Sequence, residues 1–316
     1  MNPNDSNSAP AASLSDQLFA IAQGLLPKHL LSRWMYALMR QRGHWLRTQS
    51  IKTFLRNYRV DMSEALQSNP LAYESFNAFF TRALKPQARP VDQDELAVVS
   101  PVDGTVSQCG PIDGDLLIQA KGHQYSLLAM LGGDAQLARR YQGGHFACIY
   151  LAPYNYHRMH MPLTGSVDDT IYVPGELFSV NAATARTVPG LFARNERVVC
   201  NFAMTSGTSE TTQRQFAMVF VGALFVGSIE TVWAGEINPL PRRQGAAIRI
   251  NQGRGLNLVK GAEAGRFNMG STVVLVFEPG HMQWDANMQA GATLRMGQRI
   301  GTLQTHVAHA AVDVLV

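Results

Sequence analysis

The sequence has little cysteine and no cysteine pattern. Its three cysteines, Cys109, Cys148 and Cys200, form no CxxC pair and are odd in number. A disulfide framework needs paired cysteines, and a zinc–thiolate site needs closely spaced ones. The sequence therefore argues against both, and we expect the three thiols to be small core residues in a reducing compartment.

Long hydrophobic runs and a signal sequence are also missing. No stretch approaches the roughly 18 to 20 apolar residues that cross a bilayer. The first ten residues, MNPNDSNSAP, contain Asp5 and no Lys or Arg, which resembles neither a secretory signal nor a transit peptide. We therefore expect a chain that does not span a membrane, with a disordered N-terminus over residues 1–13.

Acidic residues are absent between Gln17 and Val60, whereas this segment carries many basic ones. The eight basic residues are Lys28, Arg33, Arg40, Arg42, Arg47, Lys52, Arg56 and Arg59. The net charge of the whole chain is +4, so subtracting these eight positive charges leaves −4 for the remainder. The positive charge is thus concentrated in one segment.

Helical periodicity coincides with this basic segment. Apolar residues recur every three or four positions in residues 30–39 and 51–58, and Gly43 separates the two patterns. A third pattern, over residues 73–84, places aromatic side chains on one side of a helix. We predict an amphipathic, membrane-associating helical segment over residues 14–84.

Three interpretations of the basic amphipathic helices are open at this point. Trp34, Trp45 and the Lys and Arg side chains suit a helix that lies in a membrane interface. A helical cap packed on the core, with a solvated basic face, has the same pattern. Basic patches also bind nucleic acid. The membrane surface is favoured for the first two helices, and core packing for the third.

The pattern changes after a Pro-rich, charged connector at residues 85–95. Short β-branched and aromatic runs then alternate with Gly turns. Examples are HFACIYLAP, FAMVFVGALFVGSIETVW, STVVLVFEPG and the terminal VDVLV. The sequence therefore predicts an α+β fold, in which the helical segment precedes a β-rich domain over residues 96–316.

Residues suited to nucleophilic catalysis occur in the β-rich part. Asp103 lies in SPVDGTV, His157 and His160 lie in YNYHRMHMP, and Ser271 follows Gly270 at the start of an apolar run. A serine becomes nucleophilic when a histidine oriented by a carboxylate takes its proton. Simpler interpretations are a hairpin turn at Asp103, a structural histidine and a Gly-Ser turn. Further metal ligands are not found near the two histidines, so we expect no metal site.

Longer strings distinguish these interpretations. The chain contains SFNAFFTRALKPQARP, LIQAKGHQYSL, YHRMHMP, IYVPGELFSVN, LFARNERV, VGSIETVWAG and GRFNMGSTV in this order. With them it closely resembles the bacterial phosphatidylserine decarboxylases, a family of pyruvoyl-dependent enzymes, from about residue 14 to residue 300. The family's processing motif usually reads Leu-Gly-Ser-Thr, and Met269 replaces the Leu here, an exchange that nearly conserves volume.

The resemblance implies a proenzyme that cuts itself between Gly270 and Ser271. The Ser271 hydroxyl would attack the carbonyl of Gly270, and elimination would leave a covalent pyruvoyl group in place of Ser271. The products would be a β chain of residues 1–270 and an α chain of residues 271–316. Glycine suits the acyl position because it lets the backbone bend toward the hydroxyl.

The resemblance also assigns roles to the acidic and basic groups. His160 would withdraw the Ser271 proton, and Asp103 would hold the His160 ring and stabilise its cation. His157 would act in decarboxylation, as a proton donor or a substrate contact. The spacing of the two histidines does not separate these roles.

The implied reaction converts phosphatidylserine to phosphatidylethanolamine and CO2 through a Schiff base to the pyruvoyl group. An anionic lipid substrate explains the basic helices. We therefore expect a peripheral protein on the cytoplasmic side of the cell membrane, a homodimer, and no nucleic-acid partner. The alternatives are a serine hydrolase that uses Asp103, His160 and Ser271 without self-cleavage, another pyruvoyl enzyme, and a non-enzymatic binding protein.

Overall fold

The computed structural model describes most of the chain. The described residues are 13–119, 123–205, 214–225, 228–237 and 246–304. Residues 1–12 of the predicted disordered N-terminus and the terminal VDVLV run lie outside them.

Three amphipathic helices begin the described chain: α1 (Leu14–Leu25), α2 (Lys28–Met39) and α3 (His44–Asn57). Ser13 starts α1 with a capping box, because its hydroxyl accepts the Asp16 N–H at 3.1 Å and the Asp16 carboxylate accepts the Ser13 N–H at 3.2 Å. The first helix begins at Leu14, and Ser13 is its N-cap. Gly43 is the N-cap of α3, where the sequence predicts a break.

The aromatic pattern at residues 73–84 forms a shorter helix than the sequence predicts. Only α4 (Phe76–Phe80) is helical, and Ser75 caps it by accepting the Ala78 N–H at 3.1 Å. The phenylalanines of α4 are buried, as expected for core packing. The other helices are α5 (Leu127–Met130), α6 (Ala135–Tyr141), α7 (Ala182–Thr187) and α8 (Leu191–Arg194), with 3-10 turns at Pro70–Ala72 and Pro86–Ala88.

Strands dominate the chain after the connector. They are β1 (Ala97–Val99), β2 (Gly104–Pro111), β3 (Leu116–Ile118), β4 (Gln124–Ser126), β5 (His145–Tyr150), β6 (Arg158–His160), β7 (Gly165–Val173), β8 (Arg197–Met204), β9 (Gln215–Val221), β10 (Ser228–Thr231), β11 (Gly235–Glu236), β12 (Ile248–Arg249), β13 (Asn257–Leu258), β14 (Glu263–Asn268), β15 (Thr272–Phe277), β16 (Met282–Trp284), β17 (Thr293–Leu294) and β18 (Arg299–Leu303). Helices before a β-rich core confirm the α+β class.

The largest sheet has β15 near its centre. Its order is β12-β7-β8-β9-β15-β5-β2-β17, and β13 also pairs with β7. All six residues of β15 are buried, because this β-branched and aromatic strand is covered on both faces. Antiparallel pairing sets Thr272 opposite Tyr150 of β5 and Val221 of β9. The residue before Thr272 is therefore held at the end of a rigid strand.

The Asp-Gly pair at Asp103 is not the hairpin turn that its sequence favours. β1 pairs with β18 and β2 pairs with β5 and β17, so the strands on either side of Asp103 belong to different sheets. Asp103 lies at the bend where the chain passes from one sheet to the other. The local turn signal misses this because long-range pairing decides the partners of both strands.

Two hydrophobic clusters form the interior. The larger one fills the space around the main sheet and includes the buried Cys148 and Cys200, with Cys109 half-buried against it. The smaller one joins Ile51 of α3 to the phenylalanines of α4, and Met269 packs against it. The helical part therefore contacts the chain next to Ser271. Within the described residues, no helix is long and apolar enough to cross a membrane.

Candidate active site

Ser271 lies directly before β15 and is held by its own backbone. Its carbonyl accepts the Leu151 N–H at 2.7 Å, which extends the pairing with β5 by one residue. The side chain is 1% exposed, and its Oγ has no hydrogen-bond partner among the described residues. Leaving a buried hydroxyl unpaired costs free energy. Ser271 therefore has a destabilising hydroxyl, adjacent in the chain to the Gly270 carbonyl.

Gly270 lies against the ring of His157. A Cβ atom at position 270 would overlap the Cε1 and Nδ1 atoms of His157 and lie 3.2 Å from Nε2. Glycine is required here by this close approach. The contact places the imidazole beside the Gly270–Ser271 bond.

Met269 has a strained backbone beside the same bond. Its φ is +84°, in the left-handed region that residues with a Cβ rarely adopt. Such a conformation costs about 1–3 kcal/mol and persists only when the surroundings enforce it. Here the Met269 side chain packs against the smaller hydrophobic cluster, which α3 and α4 form. The strain lies within one residue of the predicted cleavage site.

His157 is fully buried, and its hydrogen bonds define its tautomer. The ring stacks on Phe80 with centroids 4.0 Å apart, and Nε2 lies 3.2 Å from the carbonyl oxygen of Pro153. A carbonyl only accepts, so Nε2 carries the proton, and Nδ1, without a partner among the described residues, has a free lone pair. Burial, with a smaller effect of the Arg82 charge, lowers the pKa of His157 from 6.5 to about 3. His157 is therefore an uncharged proton acceptor at neutral pH.

The lowered pKa of His157 predicts a pH-dependent stability. We expect a Ser271→Ala protein, which lacks the hydroxyl needed for self-cleavage, to lose about 2 kcal/mol of unfolding free energy from this group between about pH 7 and about pH 5. The unfolded chain binds a proton on His157 below about pH 6.5, whereas the folded chain does so only near pH 3. Acid therefore favours unfolding, and urea titrations at both pH values measure the difference.

The control for this prediction is Ser271→Ala combined with His157→Asn. It should show a pH dependence smaller by the same amount, while His160 and His145, whose pKa values burial also lowers, keep their contributions. An equal pH dependence in the two proteins would contradict the assignment to His157.

Asp103 is paired with an arginine of the connector. Arg89 donates from Nε to Oδ1 at 2.8 Å and from Nη2 to Oδ2 at 2.5 Å, and the Met296 N–H donates to Oδ1 at 2.9 Å. Asp103 is 6% exposed, and Arg89 also pairs with Glu64 at 2.8 Å. A buried carboxylate satisfied in this way is a fixed negative charge.

His160 is bound on both ring nitrogens. Nδ1 lies 2.8 Å from the Gly261 carbonyl, so it donates there, and Nε2 accepts from the Tyr156 hydroxyl at 3.0 Å. Burial lowers the pKa of His160, and the hydrogen bond to Gly261, the charge of Glu263 and, least, the charge of Asp103 oppose this shift. His160 and Asp103 form no hydrogen bond with each other within the part of the chain that the structure describes.

The structure thus divides the predicted site residues into two groups. His157, Gly270 and Ser271 lie together, whereas Asp103 and His160 are hydrogen-bonded to other residues. The roles assigned to them by resemblance stay predictions. Within the described residues, no cluster of His, Cys, Asp and Glu has the arrangement of a metal site.

A cavity of about 650 Å³ reaches Gly270 and His157 from the helical side. Part of its lining comes from α2 and α3 and the residue that follows α3, namely Met35, Met39, Gln49, Ser50, Thr53, Phe54, Asn57 and Tyr58. Another part comes from loop residues, including Ser179, Val180, Asn181 and Phe225. None of its described lining residues is Lys, Arg, Asp or Glu. The cavity suits a largely apolar ligand with uncharged hydrogen-bond partners at its head.

Sequence reasoning missed several of these features. Arg89 and Tyr156, the partners of Asp103 and His160, carry no local signal of that role. Arg82 is also missed: it is 4% exposed, and its Nε and Nη1 have no hydrogen-bond partner among the described residues. Its position two residues beyond the α4 aromatics gives no hint of burial, because tertiary packing decides it.

Comparison with known proteins identifies the family. The model of the family described as phosphatidylserine decarboxylase matches residues 76–302, and a second, described as PSD, matches residues 18–59. The chain belongs to the phosphatidylserine decarboxylase family. The resemblance read from the sequence motifs is thereby confirmed.

Members of the phosphatidylserine decarboxylase family from several bacteria resemble the chain along most of its length. The "Phosphatidylserine decarboxylase proenzyme" of Pseudomonas fluorescens strain Pf-5 is 50% identical over 290 residues, 91% of this chain and 98% of the relative. That of Ectopseudomonas mendocina strain ymp is 50% identical over 293 residues, 92% and 100%. That of Bordetella avium strain 197N is 48% identical over 295 residues, 93% and 98%. The similarity includes both the helical and the β-rich parts.

Proposed function

We propose that the chain is a proenzyme that cleaves itself at Gly270–Ser271 and then decarboxylates phosphatidylserine to phosphatidylethanolamine. The observation that carries this proposal is the unpaired, buried Ser271 hydroxyl next to Gly270, which contacts His157 and lines the cavity with it, in a member of this family. The relatives' printed names, which contain "proenzyme", support the maturation step.

Maturation needs the groups of the chain and one water molecule. The Ser271 Oγ attacks the Gly270 carbonyl carbon, and the amide becomes an ester as the nitrogen leaves. Loss of the α proton then breaks the Cβ–O bond, which frees the Gly270 carboxylate and leaves dehydroalanine. Water replaces its nitrogen, ammonia leaves, and residue 271 ends as a pyruvoyl group. The strain at Met269 and the absent Cβ at Gly270 favour the bent geometry of the first step.

The site fits the pyruvoyl cofactor, since the residue that would become it directly follows Gly270, which lines the cavity together with His157. The cofactor would supply the electron-withdrawing carbonyl that natural side chains lack. Nδ1 of His157 would accept a proton from the substrate ammonium and return it to the carbon that loses CO2. Because the described lining carries no charged side chain, the substrate carboxylate would lose solvation there, which favours its departure as uncharged CO2.

The serine hydrolase alternative is not favoured. A hydrolase must present its serine to an external acyl group with a histidine in hydrogen-bond reach. Ser271 is 1% exposed, its Oγ has no partner among the described residues, and Tyr156 occupies Nε2 of His160. A neighbouring carbonyl of the same chain is the acyl group that lies next to it.

The deciding experiment combines intact mass with a reaction assay. We expect the 34.7 kDa chain to convert to a chain that ends at Gly270 and one that starts with a pyruvoyl group at position 271. The same preparation should release CO2 from phosphatidylserine vesicles. A chain that stays uncleaved and decarboxylates at full rate would reject the proposal.

The two chains would stay together after cleavage. The α chain supplies β15, which pairs with β5 and β9 of the β chain, and it also supplies β17 and β18, which pair with β2 and β1. These ladders do not depend on the Gly270–Ser271 bond. A homodimer of such units is the further expectation, and light scattering of the matured protein measures it.

We propose the cytoplasmic face of the cell membrane as the site of action. The outer surface of α1 and α2 exposes apolar side chains, namely Leu14, Leu18, Ile21, Leu25, Leu30 and Trp34. The exposed Arg33, Lys52, Arg56 and Arg59 have no ion-pair partner within the part of the chain that the structure describes. An apolar face with nearby cations matches an anionic bilayer surface, which also holds the substrate. Nucleic acid offers no partner for the apolar face.

Two aspartates on this face should prevent docking. We expect Leu18→Asp with Leu25→Asp to weaken binding to phosphatidylserine-containing vesicles at least about tenfold, because two apolar side chains no longer enter the lipid. Both leucines are exposed, at 66% and 84%, so folding and self-cleavage should persist. Vesicle sedimentation measures binding. Val259→Asp, at a 61% exposed position beyond β13, is the control, and equal binding of both variants would contradict the docking face.

A further inference from the structure

The side chain of Gln23 in α1 is buried and forms two hydrogen bonds with a single residue, Ser179. Gln23 is 2% exposed in a helix that is otherwise largely exposed. Its Nε2 donates to Ser179 Oγ at 2.8 Å, and its Oε1 accepts the Ser179 N–H at 2.9 Å. The amide nitrogen and the amide oxygen of Gln23 both form hydrogen bonds with Ser179. Together they fix the position and the orientation of Ser179.

Ser179 belongs to the wall of the cavity that Gly270 also lines. Residues 179–181 line this wall. On the protein side, the Ser179 carbonyl accepts the Thr184 hydroxyl at 2.6 Å, and Asn181 caps α7 by accepting the Thr184 N–H at 3.1 Å. The wall is therefore held by α7 on one side and by Gln23 of α1 on the other.

Two ion pairs accompany the Gln23 contact. Asp16 of α1 pairs with Arg186 at 2.9 Å, and Lys28, at the start of α2, pairs with Glu176 at 2.9 Å. Each pair has at least one partly exposed partner, since Glu176 is 46% and Arg186 22% exposed, so salt weakens both pairs in part. The hydrogen bonds of the Gln23 amide are directional, and Gln23 itself is buried. They therefore set the position of Ser179, while the ion pairs hold α1 and α2 against the rest of the chain.

We propose that Gln23 is a positioning residue, which holds the cavity wall at residues 179–181 in the place defined by α1 seated on the lipid surface. The opposite face of α1 is the apolar one, with Leu14 and Leu25 exposed at 78% and 84%. One helix thus contacts lipid on its outer side and the wall of the reaction cavity on its inner side. This inference rests on the proposed reaction at a membrane.

Gln23→Met tests the proposal, because methionine keeps the length and helix propensity of glutamine but removes both hydrogen bonds. We expect self-cleavage and binding to vesicles of phosphatidylserine and phosphatidylcholine to match the unchanged protein. Turnover at saturating substrate, kcat, should fall about tenfold, since small displacements at a reacting centre are costly, with KM changed less than about twofold. Gln17→Met, an exposed exchange on the same helix that leaves Ser179 untouched, should leave self-cleavage and kcat unchanged.

Rescue separates positioning from mere stability. Gln23→Glu can accept from both the Ser179 N–H and its hydroxyl, and Lys28, whose Nζ lies 3.3 Å from the Gln23 carbonyl, balances the new charge. It should restore kcat to within about threefold. The proposal is overturned if kcat of Gln23→Met is unchanged, or falls only in proportion to lost vesicle binding or thermal stability. Failure of the unchanged protein to cleave itself would instead reject the proposed function.

Discussion

A Ser271→Ala protein is expected to remain a single chain of about 34.7 kDa and to release no measurable CO2 from phosphatidylserine. Alanine has no hydroxyl to attack the Gly270 carbonyl, so neither the ester nor the pyruvoyl group forms. Without an electrophilic carbonyl, the loss of activity should be at least about 1000-fold. Intact mass and CO2 release from the same sample measure both effects.

The matched control is Ser50→Ala. It removes a hydroxyl of α3 from the lining of the cavity that Gly270 and His157 also line. It should cleave as the unchanged protein does, because Ser50 is not adjacent to a scissile carbonyl. Folding of Ser271→Ala should persist, since the lost Oγ makes no hydrogen bond among the described residues. Efficient cleavage of a folded Ser271→Ala protein would reject Ser271 as the nucleophile.

Local pattern was sufficient for some parts of the fold. The period of the apolar residues predicts α2 and α3, and Gly43 marks the break between them. The continuous apolar run after Ser271 predicts a buried strand, and β15 is buried throughout. These predictions succeed because one face or one strand determines them. The α4 helix is shorter than predicted: Thr81 is its C-cap, and Leu84 instead forms a bridge with Ala65.

The parts that failed depend on residues distant in sequence. The Asp-Gly signal at Asp103 favours a hairpin, yet its neighbours pair with strands in different sheets. Arg89, in a connector that looked like a linker, neutralises Asp103. The family resemblance supplied the candidate residues, but the ring contact of His157 with Gly270 follows only from the way β14, the loop after β5 and α4 pack together.

Changing His157 and His160 separately to asparagine should have different effects on self-cleavage and on decarboxylation. We expect His160→Asn to stay uncleaved and His157→Asn to cleave but to decarboxylate about 100- to 10,000-fold more slowly, the usual range for a lost acid–base group. His157 lines the cavity where the lipid head would lie, whereas His160 is not among the described lining residues and is bonded to Tyr156 and Gly261. A group in the substrate cavity suits turnover, whereas the role of His160 in maturation rests on the family resemblance.

In the uncleaved chain, a hydrogen bond from Tyr156 occupies the His160 nitrogen that would act as the base. Its Nε2 accepts from Tyr156, so that hydrogen bond must break before the nitrogen takes the Ser271 proton. Tyr156→Phe should therefore speed maturation, or leave it unchanged, while His160→Asn stops it. Time courses of cleavage by denaturing electrophoresis measure all three variants. If His157→Asn stays uncleaved and His160→Asn matures, the roles are reversed, and the imidazole already in contact with Gly270 is the base that activates Ser271.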